Sequence, residues 1–155
     1  MTIVKQIFGN YLLMSSLCAW LIAQILKVFT GMFSEQKFSF FKLFFSNGGM
    51  PSSHSATVMA LTTACAISYG FGSAPFAISL IVSIIVMNDA FGVRYETGEQ
   101  AKILNRITRE LFSGNPDNIN TGLKELVGHT PFQVLMGALC GIAVGVLMAF
   151  PMGEL

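Results

Sequence analysis

Two histidines are the only imidazoles in the chain, and each stands among hydroxyls, glycine and proline just ahead of a long apolar run. His54 lies in Gly48-Gly49-Met50-Pro51-Ser52-Ser53-His54-Ser55-Ala56, and His129 in Gly128-His129-Thr130-Pro131. An imidazole exchanges a proton near neutral pH and attacks as a free base. Serine hydroxyls and the unpaired N–H groups of a helix's first turn donate to the oxygens of an anion, at the positive end of the helix dipole. Proline suits the first helical position, so a helix beginning at Pro51 or Ser52 and a second at Pro131, capped by Thr130, would each open on a histidine. That arrangement fits phosphate chemistry. Its plain alternative is a pair of capped helices with incidental histidines.

A phosphate site needs donors for the non-bridging oxygens, a nucleophile in line and an acid for the departing alcohol. The Pro51–Ser55 stretch and Arg94 supply donors, and the two imidazoles divide the other roles. Carboxylates are not clustered, so nothing in the sequence recommends a two-metal site, and no cofactor is expected.

The elements that must position these residues are membrane helices. Of 155 residues, 53% are hydrophobic and 11% charged, roughly half the charge of a soluble domain. The chain suits one domain, an all-α integral membrane bundle of about four transmembrane helices plus interfacial amphipathic helices. The expected spans are residues 11–29, 52–69, 74–90 and 132–150. The first ends on Gln24 and Lys27, and the third on Asn88 and Asp89, groups that are costly in hydrocarbon unless they face a polar cavity. Segments 33–45 and 96–112 mix apolar and charged residues in the manner of helices lying in the membrane surface, Ser113 to Asn120 reads as a loop, and Leu123 to Val127 as a short helical piece. Ala56, Ala60, Ala64 and Ser68 form one small-residue stripe and Gly137, Gly141 and Gly145 another, natural partners for close helix contact.

A net charge of +1 speaks against a nucleic-acid surface. Cys18, Cys65 and Cys140 fall in apolar segments without metal-ligand spacing and read as small core residues. With four spans, every Lys and Arg except Lys5 falls on one side of the membrane, which the positive-inside rule makes cytoplasmic. His54, His129, Asp89 and Arg94 fall at that same face, so four scattered residues become one candidate site in a multi-pass protein of the cell membrane.

The motifs carry a resemblance. From Lys27 through the His54 motif, Asp89-Ala90-Phe91-Gly92-Val93-Arg94, Gly98-Glu99-Gln100-Ala101, Leu104-Asn105 and Leu123-Lys124-Glu125-Leu126-Val127-Gly128-His129-Thr130-Pro131, the sequence resembles the divergent branch of the type 2 phosphatidic acid phosphatase superfamily. These are membrane proteins related to acid phosphatases and vanadium-dependent haloperoxidases. The resemblance implies His129 as nucleophile, His54 as general acid, and Ser52 and Ser53 as phosphate binders, Ser53 standing where the wider superfamily has glycine. Lys27, with Lys37 as fallback, takes the place of the family's lysine motif. Arg94 supplies a guanidinium that the usual Ser-Arg before the nucleophile would otherwise bring. Gln133 stands where an acidic residue orients the nucleophile and stabilises its charge. A glutamine accepts the hydrogen bond without the charge; Asp89 is the candidate compensating acid, and Glu125 a weaker one.

The implied activity is a metal-independent phosphatase of a membrane lipid phosphate (phosphatidylglycerol phosphate, phosphatidic acid or a prenyl phosphate or diphosphate) acting through a phosphohistidine. A lipid-phosphate binding or translocating protein without turnover is the alternative, and a membrane scaffold with polar packing groups a third. Four spans barely enclose a site, which leaves room for a homodimer.

Overall fold

Apolar runs in hydrocarbon must satisfy every backbone group internally, and a single chain does so as helices. A computed structural model of the chain describes residues 2–32, 49–111, 123 and 128–154. The expected surface segment 33–45 with Lys37, the loop Ser113 to Asn120, and all of the short Leu123 to Val127 piece but Leu123 lie outside the described residues. Among those described there are helices and no strands: α1 (Ile3–Phe8), α2 (Tyr11–Met32), α3 (Ser53–Tyr69), α4 (Ala74–Phe91), α5 (Val93–Leu111) and α6 (Pro131–Met152). The fold is the expected all-α membrane bundle.

By length and composition three stretches can cross a membrane: Tyr11–Thr30, Ala74–Leu111, which holds α4 and α5, and Pro131–Met152. The remaining expected span is α3, 17 residues long, about 25 Å at the helical rise and so shorter than a hydrocarbon core of about 30 Å. It is the central helix, packed against α2, α4 and α6. Its interior neighbours are small, with Ala19, Ala23, Ala56, Ala60 and Val144 forming the core. Larger side chains such as Ile78, Ile81, Leu135 and Leu147 face outward. Small residues inside and large apolar ones outside is the pattern of helices packed in lipid, where burying a leucine brings no hydrophobic gain.

Two helix starts differ from the sequence expectation, and α1 has no counterpart in it. Helix α3 starts at Ser53, and Pro51 lies outside it, ahead of Ser52. Ser52 is extended (φ −67°, ψ 115°) and its side chain accepts from Ser55 N, so the hydroxyl cap, worth about 1 kcal/mol, sets the start rather than the proline. Helix α5 begins at Val93, ahead of the expected Glu96, and follows α4 across Gly92 alone. The other starts are as read: Ser73 accepts from Phe76 N (3.3 Å), and Thr130 with Gln133 forms a capping box ahead of Pro131.

The two small-residue stripes meet. A Cβ on Gly137 would run into the carbonyl of Ser52, and one on Gly141 into the carbonyl of Ala56; on Gly145 it would lie 2.8 Å from Thr63 Cβ and 3.2 Å from Ala60 O. Further along, Tyr11 donates its hydroxyl to Gly145 O (2.6 Å) and Ser68 donates to Glu154 Oε2 (2.8 Å), fastening the end of the bundle away from the histidines. Gly141→Ala should therefore cost about 1–3 kcal/mol through overpacking, whereas Gly72→Ala, with open space around it, should leave stability unchanged. Thermal unfolding of the two variants in detergent checks this.

Candidate active site

The mouth of α3 is assembled from hydroxyls and backbone. Ser52 is fully buried. Its Oγ accepts from Ser55 N (3.4 Å) and Ser55 Oγ (3.0 Å), and its N–H donates to Gln133 O (3.0 Å). The Ser52 hydroxyl is thus engaged in capping α3, and its backbone ties that mouth to the mouth of α6. Ser53 faces α2, where Lys27 Nζ donates to Ser53 Oγ (3.0 Å). One turn further along α2, Thr30 donates to Met50 O (2.5 Å), so the chain entering α3 is tied to the helix that carries the lysine. Gly49, at φ 88°, lies beside the Lys27 stem. His54 is exposed.

The mouth of α6 is held by α4 and α5. His129 N donates to Ala90 O (3.0 Å), and Gly128 sits against the backbone of Arg94 and Tyr95 so closely that a Cβ has no room. The His129 side chain is 5% exposed. Its Nδ1 lies 3.3 Å from Gln133 Oε1, which also accepts from Thr130 N (3.0 Å). An amide oxygen only accepts, so this contact places the ring proton on Nδ1 and leaves the Nε2 lone pair free. Burial pulls the imidazole down from its ordinary value to about 4. The positive charge of Lys27 acts in the same direction, the Gln133 hydrogen bond opposes it, and His54 and Arg94 add smaller downward effects. His129 is therefore neutral at physiological pH.

Arg94 Nε donates to Asp89 Oδ2 (2.5 Å) in a half-exposed ion pair, and the Asp89 carboxylate lies within electrostatic reach of His54. The structure thus gathers Lys27, Ser52, Ser53, His54, Asp89, Arg94, His129 and Gln133 at one end of the bundle. The ring of His129 has its hydrogen bond to Gln133, and Asp89 has its partner in Arg94. Lys37 and Glu125 lie outside the described residues. Among the described residues no three His, Cys, Asp or Glu side chains group where they could hold a metal ion.

Asn105 makes a contact that residue type alone gives no means of reading. Its Nδ2 donates to Leu123 O (2.8 Å) and its Oδ1 accepts from Leu123 N (2.8 Å), a two-bond clamp on the chain shortly before Gly128-His129. Both partners are backbone atoms 18 residues away, so no side-chain pattern announces them. Ala90 O is likewise invisible to a reading by residue type.

A family profile described as "Divergent PAP2 family" matches residues 8–144. The chain is also similar to the uncharacterized membrane protein YuiD of Bacillus subtilis (strain 168), 37% identical over 155 residues that cover 94% of this chain and 98% of that protein. No solved structure matches.

The His129 environment yields a pH prediction. A group held at about 4 takes up its proton only as the pH falls through that value, whereas an unperturbed histidine does so near 6.5. Imidazole NMR of the purified protein should show His129 neutral at pH 5.5. Gln133→Glu, which adds a negative charge at the same contact, should move its titration upward. Asn105→Ala, losing two hydrogen bonds of about 0.5–1.5 kcal/mol each, should lower the unfolding midpoint and shift the His129 resonances. Unchanged resonances would show that the segment holds its place without the clamp.

Proposed function

Because the chain belongs to the Divergent PAP2 family, we propose that it is a metal-independent phosphatase of a membrane lipid phosphate. The observation that carries this reading is the buried, neutral His129, its Nδ1 on Gln133 and its Nε2 free, beside the Lys27–Ser53 pair. Lys27, the Ser53 hydroxyl and Arg94 hold the non-bridging oxygens. His129 Nε2 attacks phosphorus while the bond from phosphorus to the lipid oxygen breaks, and His54 gives its proton to that oxygen. Gln133 Oε1 holds the Nδ1 proton of the phosphohistidine. His54, now neutral, takes a proton from water, whose oxygen attacks phosphorus; the N–P bond breaks, and inorganic phosphate leaves with His129 restored.

With α3 taken as a fourth crossing beside the three long apolar stretches, the site falls in this reading at the face where the Lys and Arg residues gather, which the positive-inside rule makes cytoplasmic. That sidedness favours phosphatidylglycerol phosphate, with phosphatidic acid and prenyl phosphates or diphosphates fitting the same chemistry. A second reading, a lipid-phosphate binding or translocating protein without turnover, draws on one observation. The group on the His129 ring is an uncharged amide that also caps α6, so it stabilises an imidazolium less than a carboxylate does.

Purified protein in detergent with chelator should release inorganic phosphate from one of these lipids and be inhibited by vanadate. His129→Ala should abolish release, and His54→Ala should lower kcat by about 10²–10⁴-fold. Gln133→Glu should raise the rate. Translocation of a lipid phosphate by folded protein with no phosphate released would establish the second reading.

A further inference from the structure

The central helix packs against three neighbours on different faces. Towards α2 it packs Ala56 and Ala60 against Ala19 and Ala23, and towards α6 it meets the glycine stripe. Towards α4, Thr62 Oγ1 and Ser83 Oγ are 2.7 Å apart and Ser83 donates to Val58 O (3.0 Å). Helices α2 and α4 do not touch each other among the described residues. The strip of α3 between them carries His54 at its mouth and, at i+7 and i+11, Leu61 and Cys65, which share a helix face with it.

Leu61 and Cys65 form one wall of an open groove of about 440 Å³ whose other wall is α4, with Pro75, Ile78 and Val82. The groove exposes only apolar atoms. At the helical rise, Leu61 lies about 10 Å and Cys65 about 16 Å further along α3 than His54, within a hydrocarbon core of about 30 Å. The cationic mouth formed by Lys27 and Arg94 and the apolar groove therefore follow one another along a single face, polar end at the membrane surface and apolar end within it.

We propose that this groove between α3 and α4 holds the hydrocarbon chain of the lipid phosphate whose headgroup sits at His54. The inference rests on the proposed function and deepens it: the site selects an amphiphile with an anionic head and a long tail. A phosphate ester with a short tail fills the mouth and leaves the groove empty. The order of chemistry along α3 matches such a molecule. Each methylene that reaches the groove contributes binding, and chains too short to pass Leu61 forgo it.

The test uses the full chain in detergent and two independent readouts. In the first, phosphate release is measured with dihexanoyl and dioleoyl phosphatidic acid for the wild type, Val82→Trp and Ile78→Trp, which fill the groove from its α4 side, and Ile84→Trp, which is exposed and away from it. Groove filling should raise KM for the dioleoyl lipid about tenfold, the effect of roughly two buried methylenes, with kcat and the dihexanoyl values unchanged; Ile84→Trp should change nothing. Two α4 variants guard against one that fails to fold. In the second readout, a phosphatidic acid with a mid-chain diazirine should label the 61–65 and 74–82 peptides. Dioleoyl phosphatidic acid should displace the label and dioleoyl phosphatidylcholine should not.

Displaceable labelling without phosphate release would keep the groove and remove the hydrolase reading. Phosphate release indifferent to chain length and to both groove substitutions, or labelling displaced equally by phosphatidylcholine, would overturn the groove while leaving the hydrolase reading intact.

Discussion

The close approach of α6 to α3 is the constraint on which the site depends. Glycine at 137 and 141 lets α6 rest on the backbone carbonyls of Ser52 and Ala56, and at that separation Ser52 N can reach Gln133 O (3.0 Å). A backbone donor left unpaired in hydrocarbon costs several kcal/mol, so packing and hydrogen bond reinforce each other. The consequence is local to the chemistry. The residue that caps α3 is bonded to the residue that touches the His129 ring, and the two helix mouths are fixed as one unit. The third side is supplied by α4, whose Ala90 carbonyl holds His129 N.

Gln133 serves two purposes, and they differ in what they demand. As the third residue of α6 it completes a capping box with Thr130, which needs a side-chain acceptor of glutamine or glutamate length. As the partner of His129 Nδ1 it needs the same acceptor in the same place. Either residue satisfies the geometry, and only the charge separates them. A carboxylate would stabilise an imidazolium and raise the basicity of the ring; the amide leaves His129 neutral beside Lys27 and Arg94. The positive charges near the ring favour an anion beside it and keep the imidazole in its free-base form.

Much of this was legible in the sequence because membrane helices obey few rules. Long apolar runs marked α2, α4 and α6, Thr130 and Pro131 marked the start of α6, and the Gly137 and Ala56 stripes found each other as their spacing suggested. Sidedness drawn from Lys and Arg placed both histidines at one face, and the structure has both at one end of the bundle. Pro51 was misleading because two start signals stand side by side and the hydroxyl of Ser52 sets the boundary. The near-continuity of α4 and α5 was hidden because glycine at 92 and polar residues after it read as a break. The Asn105 clamp and the Ala90 carbonyl could not be read, since their partners are backbone atoms whose position only the fold decides. The groove between α3 and α4 was hidden for the same reason, since only the fold decides which residues of the two helices line it.

Chemical trapping of the intermediate tests the role of His129 most directly. Protein turning over a lipid phosphate labelled with phosphorus-32 would be quenched in alkali, digested and mapped, with the phosphorylated ring nitrogen assigned by phosphorus NMR. A phosphohistidine mechanism predicts acid-labile label on His129, at Nε2 and not at the Nδ1 that faces Gln133, and its absence from His129→Ala. Phosphate release with no label on His129, or with label at Nδ1 or on another residue, would contradict it.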